Sequence, residues 1–159
     1  MSSEILDVLR LVQKELDANR MEWVLVGSLS LYLQGVPVVP HDIDIMTTKS
    51  GAYKCQELFK KHVMQPVEWG RTAEFESYFG KFRIGNVLVE VMGELKVFES
   101  GNWISLAKRL NNPRRIVVRD FDVPVSSLEE QAAAYKRSSR EKDRQRALLI
   151  ENTLRRGTS

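Results

Sequence analysis

The chain has 159 residues, 43% of them hydrophobic, and a net charge of +3 from 24 basic and 21 acidic side chains. That is enough for one compact domain with a sizeable core, and too little for a second full domain. No run approaches the roughly 18 apolar residues of a membrane span, and the opening MSSEILDVLRLVQ lacks a basic segment followed by an apolar one. A single cysteine, Cys55, excludes an intramolecular disulfide or a cysteine-based zinc cluster. The expectation is a soluble cytoplasmic protein with no membrane partner.

Along the chain, Ser2-Ser3-Glu4 offers a cap, and Ile5, Leu9, Val12 and Leu16 recur at helical spacing, which predicts an amphipathic helix of about four turns. Residues 23–26 are short, apolar and β-branched enough for a buried strand. Gly27 lets the backbone turn sharply, and Ser28 is the expected N-cap of a helical segment over 29–33, where free N–H groups would gather. Pro37 and Pro40 exclude helix across 35–40. A strand over 41–46 follows and carries Asp42 and Asp44, which alternation places on one side. His41 then faces away from both.

Thr47, Thr48 and Ser50 lead into a helix from about residue 51, with Cys55, Leu58, Phe59 and His62 on its apolar face. Cys55 reads as a small core residue and His62 as a helix-end residue. Residues 64–74, with Pro66, Trp69, Gly70 and Arg71, read as a loop. Strands over 75–84 and 87–92 are joined by Gly85-Asn86, a hairpin signal. The second strand holds one charge, Glu90, whose burial among valines is costly without a cation or hydrogen bonds. Trp69 and Tyr78 read as core aromatics, with stacking on a base as the other reading.

Further on, a short strand over 96–98, a short helix over 104–110 and a strand or hairpin over 116–125 are expected. Ser127-Leu128-Glu129-Glu130 is a capping box. The last helix places Ala147, Ile150 and Leu154 on one face, with Gly157 just past its end. Residues 136–156 hold eight basic and three acidic side chains, leaving the rest of the chain slightly acidic. Such a segment suits a polyanion, or else is a solvated helix face with i,i+4 pairs. The expected organisation is a single α+β domain over 1–159, with a mixed sheet, helices mainly on one side, a core over about 1–125 and a C-terminal helical segment over about 126–156.

Asp42, Asp44 and Glu90 are three acids in apolar runs on two predicted strands. Hard divalent cations take oxygen ligands, so neighbouring strands would make these a metal site. The plainer reading has Asp42 beginning a turn and Asp44 reaching solvent.

Gly27-Ser28, thirteen intervening residues, Asp42-Ile43-Asp44 and a later strand acid together resemble the nucleotidyltransferase superfamily, typified by DNA polymerase β and the small antibiotic nucleotidyltransferases. The C-terminal stretch resembles that of AbiEii-type and related minimal nucleotidyltransferases, where a capped helix ends in a Lys and an Arg-x-Lys-Asp helix follows. Here these are Lys136 and Arg140-Glu141-Lys142-Asp143.

The resemblance implies Mg²⁺-dependent transfer of a nucleoside monophosphate from an NTP, such as ATP, to a hydroxyl, with release of pyrophosphate. It gives Gly27 and Ser28 contact with the triphosphate, makes Asp42 and Asp44 ligands of two Mg²⁺ ions, or Mn²⁺ in their place, and makes Glu90 the third carboxylate. Lys136, Arg140 and Lys142 would bind phosphate, or else pair with surface acids. The acceptor, whether small molecule, tRNA or protein, is left open, as is an antitoxin-like or self-association partner. The superfamily's third acid is more often Asp, and Glu90 reaches roughly 1.5 Å further. The rival reading is a non-catalytic module of the same fold that binds RNA or a protein through its basic C-terminal helices.

Overall fold

The computed structural model describes residues 3–157. Helix α1 (Ser3–Ala18) buries Ile5, Val8, Leu9, Val12 and Leu16, the face expected from their spacing; Ser2, the other expected cap residue, lies outside the described residues. Strand β1 (Trp23–Val26) is buried throughout and runs directly into α2 (Gly27–Leu33). Strand β2 (Ile43–Thr47) begins after Asp42, which sits in the bend before it. Helix α3 (Lys49–Leu58) starts two residues earlier than expected, because the Thr48 side chain accepts from the Gly51 N–H and caps it.

Residues 64–74 are a strand for most of their length rather than a loop. Strand β3 (Val63–Arg71) pairs antiparallel with β4 (Phe75–Ile84), and two register shifts absorb Pro66, which has no N–H to donate. The expected hairpin joins β4 to β5 (Val87–Glu99), which runs on past Met92 through 96–98. Residues 104–110 are not one helix: β6 (Asn102–Ser105) pairs with the end of β5, and only Ala107–Leu110 make a 3-10 turn. Strands β7 (Arg114–Val118) and β8 (Phe121–Val125) form the last hairpin, followed by α4 (Leu128–Lys136), which opens on the Ser127–Glu130 capping box, and α5 (Glu141–Gly157).

The strands lie in the order β3-β4-β5-β2-β1-β8-β7, with β6 against β5. The β2–β5 and β1–β8 pairs are parallel and the rest antiparallel, so the sheet is mixed and the protein α+β. Alternation divides its residues between two faces. One face packs Leu25, Ile43, Ile45, Phe82, Val89 and Val91 against α1 and α3 in the main core. Cys55 belongs to that core, and burial pushes its thiol up to about 12, so it is an inert apolar side chain. His62 is exposed in the turn after α3 rather than on its apolar face, because the helix ends at Leu58.

The other face carries Val24, Val26, Met46 and Leu95, covered in part by Leu106 and Leu110 of the 3-10 turn. Helices α4 and α5 close over that side of the molecule through a third cluster, in which Leu128, Ala132 and Ile150 meet Leu31 and Val36.

Candidate functional site

The open face of the sheet is laid out in rows. In register, Val26, Asp44, Glu90 and Lys81 form one cross-strand row. The next row holds Val24, Met46, Met92, Phe79 and Glu68. Adjacent strands therefore bring Asp44 and Glu90 directly opposite one another, and like charges so placed repel.

The chemistry of the pair follows from that placement. Burial pushes the Asp44 carboxyl up to about 7, the charges of Glu90 and Asp42 push the same way, and Arg146 opposes them. Glu90 is also raised, first by burial and then by Asp42, against the pull of Lys81 and of the hydrogen bond with Asp44. Two oxygen-rich side chains, partly desolvated and opposed on adjacent strands, are a site that a hard cation would relieve. Asp42 is within electrostatic reach of both, but among the described residues no group of three or more His, Cys, Asp or Glu side chains is arranged around one point. The donor set therefore fits a divalent ion through Asp44 and Glu90, with Asp42 at the margin.

Gly27 is fixed against this pair. Its φ is +77°, a left-handed conformation that L side chains rarely adopt, and a Cβ there would lie 2.2 Å from Asp44 Oδ2. That backbone also corrects the role expected of Ser28. Helix α2 starts on Gly27 itself, with Val26 before it and no side-chain cap, so Ser28 is a buried residue of the first turn. Nor are all the helix-start amides free: the Gly27 N–H donates to Gln131 Oε1 at 3.2 Å. The Gln131 amide nitrogen donates in turn to Ser30 Oγ and the Ser126 carbonyl.

A cleft of about 340 Å³ opens between this face and α4. Gly27, Asp44, Glu90 and Arg140 line it together with Arg109, Gln131, Tyr135 and Asp143. Asp42, Ser28, Lys136 and Lys142 do not. Lys136 pairs with Glu151, and Lys142 is exposed on α5. Arg140 is held by Asp143, which is buried and also accepts from Ser138 Oγ at 2.7 Å.

Four of these contributors were not singled out by sequence. Gln131 looked like an ordinary position in a capped helix, and Arg109 lay in a weakly patterned stretch. Tyr135, whose hydroxyl burial pushes up and Arg146 pulls back down, gave no periodic signal. Arg146 was one of eight cations in the basic segment, and only the fold brings it to Asp44. Trp69 was read mainly as core, but it is 50% exposed, because β3 lies at the sheet edge. Tyr78 does pack, against Tyr53 and under Lys49.

The family model for aminoglycoside-2''-adenylyltransferase matches residues 8–149. Among solved structures, a Thermotoga maritima protein assigned as a nucleotidyltransferase, TM1012, is 33% identical over 99% of this chain and 94% of its own, with a TM-score of 0.81. The lincosamide antibiotic adenylyltransferase LnuA, solved with lincomycin, is 13% identical over 91% of this chain and 95% of its own, at a TM-score of 0.58. The antibiotic-resistance factor ANT(2'')-Ia is likewise 13% identical, over 97% and 86%, at 0.63. The last two share the fold. No curated protein sequence matches.

Proposed function

The chain belongs to the aminoglycoside-2''-adenylyltransferase family and is a nucleotidyltransferase; from that premise we propose that its cleft transfers a nucleoside monophosphate from an NTP, ATP by likeness to its adenylyltransferase relatives, to the hydroxyl of a small molecule. The observation that carries the reading is the opposed Asp44–Glu90 pair at the foot of a cleft whose far wall supplies Arg140 and Arg109.

In this reading the triphosphate lies along the turn at Gly27, whose missing side chain seats Asp44 against the backbone, and meets the Arg140 guanidinium held by Asp143. Lys142 adds to the positive field of the C-terminal segment, Lys136 is balanced by Glu151, and Ser28 supports the turn from within. The acceptor oxygen forms its bond to the α-phosphorus as the bond from that phosphorus to pyrophosphate breaks, and the hydroxyl proton passes to Glu90. Burial raises the affinity of Glu90 for that proton. Asp44, with Asp42 beside it and Glu90 opposite, would hold a divalent ion, Mg²⁺ or Mn²⁺, which when bound supplies charge stabilisation of the attacking and leaving oxygens. The sheet and the C-terminal helices act here as one catalytic unit over 1–159.

The likeness to AbiEii-type enzymes rests on the C-terminal motif, and the matched family and solved relatives do not extend it. Nor does any observation favour a non-catalytic RNA-binding module, since Lys136, Arg137, Arg140 and Arg144 are each paired with an acid. Among the described residues no helix is long and apolar enough to cross a membrane. The test is transfer of label from α-labelled ATP, with Mg²⁺, to hydroxyl acceptors. Loss of transfer in Asp44→Ala supports the reading, and unchanged transfer in that variant overturns it.

A further inference from the structure

Resting on the transferase reading, we propose that the acceptor is a hydroxyl compound with a broad apolar face and at most one cationic group, seated in a second cavity beside the cleft, and that a polycation such as an aminoglycoside is excluded. This cavity, about 450 Å³, lies on the open face of β3, β4 and β5. Its floor is Phe79 and Met92, and Phe75 and Leu95 flank it. Phe75, Met92 and Leu95 also line the catalytic cleft, so the two spaces are continuous.

The row register sets the distance. Met92 and Phe79 stand two residues along their strands from Glu90 and Lys81, a step of roughly 7 Å. A ring lying on Met92 and Phe79 therefore presents a substituent hydroxyl at the Glu90 carboxylate. Phe75, 40% exposed, leaves aromatic surface facing this space. Trp69, in register with Tyr78, belongs to the opposite face, where the Arg71 guanidinium lies between the Trp69 and Trp103 rings, 5.1 and 4.7 Å from their centroids, is fixed by Glu76 Oε2 at 2.6 Å, and braces the sheet edge on which the cavity lies.

The charges decide the acceptor's class. Five carboxylates line the two cavities. Asp44 and Glu90 are the reacting pair, Asp143 is engaged by Arg140 and Ser138, and Glu76 is engaged by Arg71 and Lys96. Glu68 remains, exposed and without an ion pair among the described residues, and can meet one ammonium group. Any further ammonium would be desolvated without a partner and would face Arg109 and Arg140.

The experiment measures binding by calorimetry at 0.15 M salt, with phenyl β-D-glucoside and hexyl β-D-glucoside as apolar-faced probes and tobramycin as the polycation, each with and without Mg²⁺-ATP. The glucosides are expected to bind saturably, with Phe79→Ala and Phe79→Ser each weakening them about tenfold while ATP binding persists. Tobramycin is expected to give no saturable binding. Tight tobramycin binding, glucoside affinities unmoved in both variants, or a concentration-dependent dimer that covers the cavity and is indifferent to the probes would each overturn the proposal. Failure of ATP binding would instead count against the transferase reading, and the glucoside arms would still report on the cavity.

Discussion

A side-chain carbon placed on Gly27 would lie 2.2 Å from Asp44 Oδ2, so the turn that ends β1 and the acid at the centre of β2 are built against each other. Gly27→Ala must also hold a φ of +77°, which costs roughly 1–2 kcal/mol for an L residue. We expect a folded protein of lowered thermal midpoint whose kcat/KM falls about a hundredfold, because a displacement of the order of 1 Å at the reacting centre has that effect. Calorimetry and steady-state transfer kinetics check the two parts.

Asp44→Asn separates function from stability. Transfer is expected to fall by about 10²–10³-fold. Stability without divalent ions should hold or rise, since the variant removes a buried charge facing Glu90. The folded-state pKa of Asp44 is raised to about 7, so its contribution is present below the ordinary carboxylate range and is lost as pH rises through about 7. Melting curves of parent and variant from pH 5 to 8 should diverge in the variant's favour as pH rises, and added Mg²⁺ should raise the midpoint of the parent only.

Gln131 makes three hydrogen bonds, two tying α4 to α2 through Gly27 and Ser30 and one to the Ser126 carbonyl, and is 2% exposed. Gln131→Leu leaves the Gly27 N–H, the Ser126 carbonyl and the Ser30 hydroxyl without that partner in a buried site. We expect a loss of about 1–3 kcal/mol in urea titration, together with a higher KM for ATP. A variant as stable as the parent would show that these bonds are dispensable.

Asp17 sets a different pH dependence. Burial raises its carboxyl, but hydrogen bonds from Trp23, Gln13 and Arg115 outweigh this and leave it below the usual value. Its contribution is therefore present above the unfolded pKa of about 4 and lost as pH falls through the folded one. Asp17→Asn should cost about 1–2 kcal/mol at pH 7, and the difference should shrink below pH 4 in chemical denaturation at each pH.

The parts legible in the sequence were those whose signal is local. The spacing of Ile5, Leu9, Val12 and Leu16 gave α1, Gly85-Asn86 gave the β4–β5 hairpin, and Ser127–Glu130 gave the start of α4. The Asp44–Glu90 meeting was expected because each acid sat in an apolar run, and parallel pairing of β2 with β5 realises it. What could not be read depends on distant partners. β3 escaped because Pro66 and Gly70 carry turn signals that edge-strand pairing with β4 overrides. Gln131 and Arg146 acquire meaning only when α4 and α5 close over the sheet. Ser28 was misplaced by two helical positions because a strand entering a helix through a left-handed glycine needs no side-chain cap.

The bond from the Gly27 N–H to Gln131 spans 104 positions of the chain. At about 5–20 residues per second, synthesis reaches Gln131 roughly 5–20 s after Gly27 leaves the peptidyl-transfer centre. During that interval the phosphate turn is present without the group that occupies its first amide, and the cleft lacks its far wall. The nascent chain can thus assemble most of its sheet on the ribosome before the cleft exists, and the cleft is completed only when α4 docks.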